Sequence, residues 1–406
     1  MGVPLILRVG LSALLLAYCG VSPQSLTQAG LSAQVLYLNP RMKFLEIKTD
    51  LPNRNFGLDV MRSIGVFMVL AGHSVHFFES YTPKVHVISH FVINGVELFF
   101  ALSGFLIGRM LMKQFSKPDV TVGHELFVFL KRRWYKTLPV YFIALFINFV
   151  FAYFVTGYHR DFNWSFLFFL QNLNSAEFWF FPVSYSLAIE EWFYLLFPLV
   201  FIVLIQLFRS SDRNKLLIAA TVVFIAGSVV ARSYKFLYTD YAMWDPGFRK
   251  VLTMRLDACV YGIILSVVFS FAHDAIKRLQ FVLLFIGAAL YIACIFVRIQ
   301  FPESYFYHVL YFTFIPLAFT FALPFFYFIR TPGNFTHRLF TQISLIAFAF
   351  YLLHLSPLMD LFLLLPNGEH LFRDICVLVA YVITTALTSI LWYKYIELPF
   401  TNLRDQ

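Results

Sequence analysis

Apolar runs long enough to cross a bilayer recur along the 406-residue chain, with short polar clusters between them. A run of about 20 residues spans the hydrocarbon core as an α-helix, whose backbone hydrogen bonds are satisfied within the segment. The pattern predicts ten main spans, at 57–78, 89–112, 137–156, 185–208, 215–234, 251–271, 279–298, 307–329, 342–365 and 373–396. The predicted fold class is therefore all-α, a polytopic membrane helix bundle.

One apolar stretch, residues 164–173 (WSFLFFLQNL), is shorter than a span. It lies in the long connection between the third and fourth predicted helices. We expect it to form an interfacial or re-entrant segment.

The composition excludes an ordinary soluble domain. Hydrophobic residues make up 60% of the chain and charged residues 13%, whereas a soluble domain has about a quarter charged residues. The mean hydropathy is +0.74. The four cysteines are scattered without a CxxC pair, so neither a metal site nor a disulfide framework is expected.

The lysines and arginines of the connections follow an alternating pattern. Connections 113–136, 209–215, 273–278, 330–338 and 394–406 together carry 15 of them. Connections 79–90, 157–183, 235–250, 299–306 and 366–373 together carry 6. Because positively charged loops stay cytoplasmic, both ends of the ten-span core are predicted to face the cytoplasm, in the cell (inner or plasma) membrane. Topology thus explains the net charge of +9, so membrane lipids are expected partners and nucleic acid is not.

Residues 1–50 form a predicted N-terminal extension ahead of a membrane domain at 51–406. The beginning resembles a signal peptide, with one arginine, a short apolar region and small residues. Alternatively, Met42 is the biological start and the preceding residues are an over-called extension. We favour the second interpretation, because a cleaved signal would place the next segment outside, whereas the loop charges place it inside.

The first span carries two ionisable side chains on one face. Arg62 and His73 are eleven residues apart, which is three turns and about 20°, or roughly 16 Å along the helix. Arg62 would lie near the cytoplasmic interface and His73 about halfway through the hydrocarbon core. This geometry favours an anion held at the mouth and chemistry in the middle. Alternatively, Arg62 reaches the lipid headgroups and His73 hydrogen-bonds a neighbouring helix.

Other predicted spans also contain ionisable residues: Glu97, Glu190, Glu191, Arg255, Asp257 and His354. Each such group costs about 2.5–3.5 kcal/mol at a helix centre on insertion scales. Pairing, such as Arg255 with an acid, would explain some of them. We expect all of them to face one polar interior, a shared water-accessible cavity.

A basic cluster, FLKRRWYKTLPVY, begins the third span. Cytoplasmic topology alone predicts such a cluster. It could also hold an anionic cytoplasmic substrate that is rich in phosphate.

At these residues the chain resembles the acyltransferase 3 family, integral membrane enzymes that acylate sugars and other hydroxyl compounds. The stretch FGLDVMRSIGVFMVLAGHS, which contains Asp59, is similar to the family's first helix. It places the family's essential arginine and histidine on Arg62 and His73. RRWYK resembles an element of two arginines and falls on Arg133 and Lys136. Lysine at the second position keeps the charge but lacks the bidentate fork.

Further motifs follow in family order, and the resemblance covers about residues 56–403. GVELFFALSGFLI contains Glu97 where aspartate is commoner, and SYSLAIEEWFYLLFP puts the usual acid on Glu190. MRLDACVYG contains Arg255 and Asp257, YLLHLSP contains His354, and IELPF closes the series. Asp59, Glu97, Arg255, Asp257 and His354 are therefore expected to help bind substrate.

The resemblance implies an O-acyltransferase that uses acyl-CoA, with acetyl-CoA expected, as a cytoplasmic co-substrate and no bound cofactor. The acceptor would be a hydroxyl of a carbohydrate or glycan precursor. Arg62, Arg133 and Lys136 would bind the CoA phosphates. His73 would act as general base or as a covalent acyl carrier, both of which need neutral imidazole.

The resemblance leaves two roles for Glu190. It would orient His73 or bind acceptor hydroxyls.

Some family members carry a fused extracytoplasmic domain that finishes the transfer. None is visible in this sequence, so we expect direct transfer or a separate extracytoplasmic acyl-transfer protein.

A second function class uses the same intramembrane charges. A proton-coupled membrane transporter would employ them as a relay. The two halves of the sequence show no internal repeat and no matched pair of broken helices, which many transporters have. Ser103 could be read as a nucleophile, but a Ser-Gly pair in a membrane helix is more typical of close packing.

Overall fold

The computed structural model describes residue 47 and residues 54–81, 85–115, 122–176, 178–208, 211–239, 243–331, 334–365 and 370–403. Twelve α-helices occur in these ranges: α1 Phe56–Ser74, α2 Val85–Val92, α3 Gly95–Phe115, α4 Val122–Phe151, α5 Ser184–Leu207, α6 Arg213–Tyr238, α7 Val260–Gln300, α8 Tyr311–Tyr327, α9 Asn334–Leu353, α10 Asp360–Leu363, α11 Leu371–Trp392 and α12 Leu398–Leu403. The described residues contain no strand. The predicted all-α class is confirmed. The predicted N-terminal extension lies outside the described residues, apart from Ile47.

Nine helices within the described ranges are long and apolar enough to cross a membrane. The sixth and seventh predicted spans share one of them, α7, which has 41 residues. At 1.5 Å per residue this helix would be about 62 Å long, twice the thickness of a hydrocarbon core. Its backbone leaves the helical region at Ala272 (φ −126°, ψ 28°).

The chain reverses direction at that break. Before it, Ser266 packs against Gly108, near the C-terminal end of α3. Beyond it, Tyr291 accepts a hydrogen bond at 3.4 Å from Asn94, which precedes the N-terminal end of α3. The two halves of α7 therefore run in opposite directions relative to α3, which preserves the predicted order of ten crossings.

The sixth predicted span is wrong in its first half. Residues 251–259 are not α-helical and contain a 3₁₀ turn at Leu252–Met254. Non-helical backbone at membrane depth is tolerated where protein covers it. Protein does cover it here, since Arg255 and Asp257 are fully buried.

Glycines bring α3 and α7 into backbone contact. A Cβ atom at Gly104 would lie 1.7 Å from the carbonyl oxygen of Cys259. A Cβ atom at Gly262 would lie 2.1 Å from the carbonyl oxygen of Ala101. Small residues permit such close approach in membranes. This contact brings α3 against the turn that carries Arg255.

The segment between α4 and α5 enters the bundle. It forms a 3₁₀ turn at Trp164–Phe168, so the prediction that it does not span is confirmed. Phe166 and Phe169 are buried, and the Phe169 ring lies 4.3 Å from that of Tyr141 in α4. Trp164 and Phe168 of the same turn are exposed, so the segment has one face on the protein and one face away from it.

The start of α1 is fixed by a cap that also ties it to α8. The Asn55 side chain accepts a hydrogen bond from the Leu58 backbone nitrogen at 3.0 Å, which satisfies a free donor of the first turn. Asn55 Nδ2 donates to the Tyr327 carbonyl at 3.0 Å. Arg62 follows on the second turn of this anchored helix.

Candidate active site

One cavity, of about 170 Å³, is called here the basic cavity. Arg62 from α1 lines it together with Arg133 and Lys136 from α4. Arg133 and Lys136 are three residues apart, so they project from one helix face. Ser103 from α3 and Glu190 from α5 add polar groups to the wall. Three cationic side chains around one cavity suit the binding of an anion that carries several charges.

Among the described residues, the carboxylate contacts of two of these cations are long. Arg62 Nη1 lies 3.3 Å from Asp59 Oδ1, and that carboxylate is engaged by Arg54 at 2.5 Å. Lys136 Nζ lies 3.9 Å from Glu397 Oε1. Their charges are therefore directed at the cavity more than at the protein. Asp59, predicted to bind substrate, does not line the cavity.

Glu190 faces the basic cavity. Its Oε1 accepts a hydrogen bond from Ser103 Oγ at 3.3 Å. No hydrogen bond joins it to His73 among the described residues, and His73 lines a different cavity. Of the two roles predicted for Glu190, this position gives no support to orienting His73.

A second cavity, of about 250 Å³, is called here the histidine cavity. The titratable groups that line it are His73, His76, Glu79, Tyr185, Arg249, Lys250, Tyr351 and His354. His76 belongs to the 3₁₀ turn Val75–Phe77, which continues α1. The predicted pair Arg62 and His73 thus occupies one helix but opens onto two cavities.

Two imidazoles lie side by side in the histidine cavity. The rings of His73 and His354 have their centroids 5.1 Å apart. His354 is fully buried, and its Nδ1 lies 2.9 Å from the Tyr351 carbonyl oxygen. A carbonyl only accepts, so Nδ1 carries the hydrogen and Nε2 of the neutral ring holds a lone pair. That Nε2 has no hydrogen-bond partner in the described part of the chain.

His354 takes this orientation because α9 ends at Leu353. The chain continues as a π-helical turn, His354–Met359, which is interrupted by non-helical backbone at Ser356. Tyr381 of α11 donates a hydrogen bond to the His354 carbonyl at 2.8 Å. Distortions of this kind are frequent at functional sites.

The histidine cavity has a charged wall outside the long helices. Arg249 and Lys250 both form ion pairs with Asp245, in and beside the π-helical turn Asp245–Arg249. Burial would raise the pKa of Asp245, but the two cations hold that pKa well below its ordinary value. Arg249 also donates to the Tyr185 hydroxyl at 3.2 Å. Two cations thus share one carboxylate at this wall.

Three predicted substrate-binding residues lie in closed ion pairs instead of on a cavity. Arg255 donates twice to Glu97, at 2.9 and 2.6 Å. Arg232 donates twice to Asp257, at 2.9 and 2.8 Å. The prediction of one shared cavity is therefore wrong. Among the described residues, Arg62 and Glu190 line one cavity, His73 and His354 line another, and the alternative of pairing holds for Arg255.

Several residues of this arrangement were missed by sequence reasoning. Arg232 carried a signal, because it is an arginine inside a predicted span. Arg249 and Lys250 also carried one, since they lie in the outer connection richest in basic residues. Tyr351 opens the quoted motif YLLHLSP, but the importance of both Tyr351 and His76 depends on which helices adjoin.

The helical bundle, with a cationic cavity beside a cavity that is lined by three histidines, is the architecture of a multi-pass membrane protein. A family model described as an acyltransferase domain, that of the acyltransferase 3 family, matches residues 55–394, and the chain belongs to this family. Comparisons with curated proteins and with solved structures give no match. The chain is therefore a multi-pass membrane protein whose general function is acyl transfer.

Proposed function

We propose that the protein transfers an acetyl group from cytoplasmic acetyl-CoA to a hydroxyl of a carbohydrate or glycan precursor, in the cell (inner or plasma) membrane. The observation that supports this most is the position of the two cavities back to back. They share Val96 and Tyr351 in their linings. The cationic side chains and the histidines therefore line neighbouring cavities that meet at these two residues.

The donor binds in the basic cavity. Arg62, Arg133 and Lys136 bind the CoA phosphates by charge-assisted hydrogen bonds. The pantetheine arm extends toward Tyr351, which brings the thioester to the wall between the cavities. The charge distribution of the loops assigns this end of the bundle to the cytoplasm.

The acceptor binds in the histidine cavity. Its hydroxyl gives its proton to His73 while its oxygen attacks the thioester carbonyl carbon. The carbon–sulfur bond breaks, and the CoA thiolate leaves toward the basic cavity and is protonated there. The acceptor is the glycan itself or a separate extracytoplasmic protein that passes the acyl group on.

A covalent variant of this mechanism has a specific observation in its favour. His354 Nε2 holds its lone pair in the same cavity. His73 would take the acyl group from the thioester, and His354 would then accept the acceptor's proton. Incubating the purified protein with acetyl-CoA alone separates the variants. An acetylated His73 peptide in mass spectrometry supports the covalent one, and an unmodified peptide supports the general base.

The function is tested on cells that lack the protein and are re-supplied with wild type or His73→Ala, both present in the membrane at equal level. Mass spectrometry of surface glycans should show an ester-linked acetyl group restored by wild type and reduced at least 100-fold in the variant. His308→Gln is the matched control, because His308 is a buried histidine that lines neither cavity. Restoration by His73→Ala would contradict the mechanism. No glycan change in any strain would favour the proton-coupled transporter.

A further inference from the structure

Tyr351 stands between the two cavities. It lies in the last turn of α9, and together with Val96 it is one of the two residues shared by the linings of the basic and histidine cavities. Val96 is in the first turn of α3, on a different helix. The two residues therefore mark the boundary at which the two cavities meet, which is called here the wall.

The tyrosine ring is held in this position at its hydroxyl. The Tyr351 hydroxyl lies 2.6 Å from Ser186 Oγ and donates to the Val183 carbonyl at 3.2 Å. Ser186 lines the basic cavity and Val183 lines the histidine cavity. The hydroxyl is thus fixed at the boundary itself, and the ring has no freedom to swing away without breaking hydrogen bonds in a low-dielectric interior.

We propose that the Tyr351 ring, assisted by Val96, limits the length of the acyl group that the enzyme transfers. The inference rests on the proposed function. An acyl group that arrives through the basic cavity must bring its carbonyl carbon to the wall near His73. Its remaining carbons must then fit beside the Tyr351 ring, and a close-packed interior has little room for extra methylenes.

Shortening the side chain at position 351 opens this space. For each methylene of the longer acyl group that the variant can bury, the preference for the longer donor should rise about fourfold. Butyryl has two methylenes more than acetyl, so the preference between the two donors should move by at least tenfold. The backbone carbonyl of Tyr351 that orients His354 is present in every variant.

The experiment is a competition between acetyl-CoA and butyryl-CoA at equal concentration. Inside-out membrane vesicles that carry their endogenous acceptor are incubated with both donors, and the ester-bound acyl groups are released by mild base and quantified by mass spectrometry. Wild type should transfer mainly acetyl. Tyr351→Ala should raise the butyryl-to-acetyl ratio at least tenfold, and Tyr351→Phe should stay within twofold of wild type.

Phe340→Ala is the matched control. It removes a ring from the same helix, but Phe340 lines neither cavity and packs against Phe56 instead, so the ratio should not shift. If wild type transfers acyl groups and Tyr351→Ala leaves the ratio unchanged, the inference is wrong. If wild type transfers none, the proposed function is wrong.

A fourth variant covers the case in which Tyr351→Ala does not fold. Val96→Ala makes a smaller opening in the same wall. It should raise the ratio in the same direction, by about fourfold for each methylene that the freed space admits. An unchanged ratio in a folded Val96→Ala protein would overturn the inference as well.

Discussion

Two groups of arginines lie within the described part of the helix bundle, and they differ in what satisfies their charge. Arg255 and Arg232 are fully buried, and each donates two hydrogen bonds to one carboxylate. Arg62 and Arg133 instead line a cavity beside Lys136. In a bidentate pair, the hydrogen-bond donors of the arginine are used by the carboxylate. Cations around a cavity keep donors for a ligand.

The comparison shows how an intramembrane charge can be assigned to structure or to function. Every such charge must be offset, because lipid offers no partner. Where the protein supplies the whole partner, the group fixes one helix to another. Where the protein supplies only a distant or shared partner, as Asp59 does for Arg62 at 3.3 Å, a ligand must supply the remaining opposite charge.

The largest effect is expected from breaking a closed pair. Arg255→Met leaves Glu97 buried without its partner, which should cost about 3–5 kcal/mol of folding free energy. Thermal unfolding in detergent should show a clear loss of stability. The double variant Glu97→Leu with Arg255→Met should recover most of it, since no unpaired charge remains. A single variant that unfolds like wild type would remove the distinction between the two groups.

An intermediate effect is expected from the basic cavity. Arg133→Gln should weaken CoA binding about 10- to 100-fold, the contribution of one or two charge-assisted hydrogen bonds, while the unfolding temperature stays near that of wild type. Isothermal titration with CoA measures the affinity. Arg132→Gln is the control, because Arg132 is the exposed neighbour and lines no described cavity. Equal weakening by both variants would mean that only the overall positive charge matters.

The smallest effect is expected for an ion pair whose carboxylate is partly exposed. Asp245, outside the long helices, pairs with Arg249 and Lys250. Because Asp245 is 37% exposed, Asp245→Asn should cost about 0.2–1 kcal/mol of folding free energy.

The pH dependence of that cost follows from the direction of the pKa shift. The pKa of Asp245 is lowered in the folded protein, because Arg249 and Lys250 outweigh its burial. The stabilisation is therefore present above the unfolded pKa of about 3.9 and is lost as the pH falls through the folded value. The difference in stability between wild type and Asp245→Asn should be constant from pH 5 to pH 8. A difference that vanished within that range would contradict the pairing.

Local pattern was enough to predict the helices. The apolar runs gave the spans, and a polar cluster at 273–278 marked the reversal beside Ala272. Helix geometry alone placed Arg62 and His73 on one face. These features depend on neighbours in the sequence, whose spacing is fixed by the helix itself.

Contacts between distant segments were not accessible in the same way. Glu97 and Arg255 are 158 positions apart, and nothing in either motif specifies that they pair with each other. The same holds for the wall that Val96 and Tyr351 form between the two cavities. The turn at residues 251–259 was misassigned because a buried apolar loop has the composition of a span.

The wall at Tyr351 and Val96 has a consequence for the cell as a whole. An enzyme whose donor and acceptor come from opposite faces of a membrane requires a passage, and an open passage would conduct protons. Val96 and Tyr351 are common to the linings of both cavities. Under the proposed function, such a passage would have to be blocked at these two side chains while the acyl group is handed over, so that the membrane keeps its gradient.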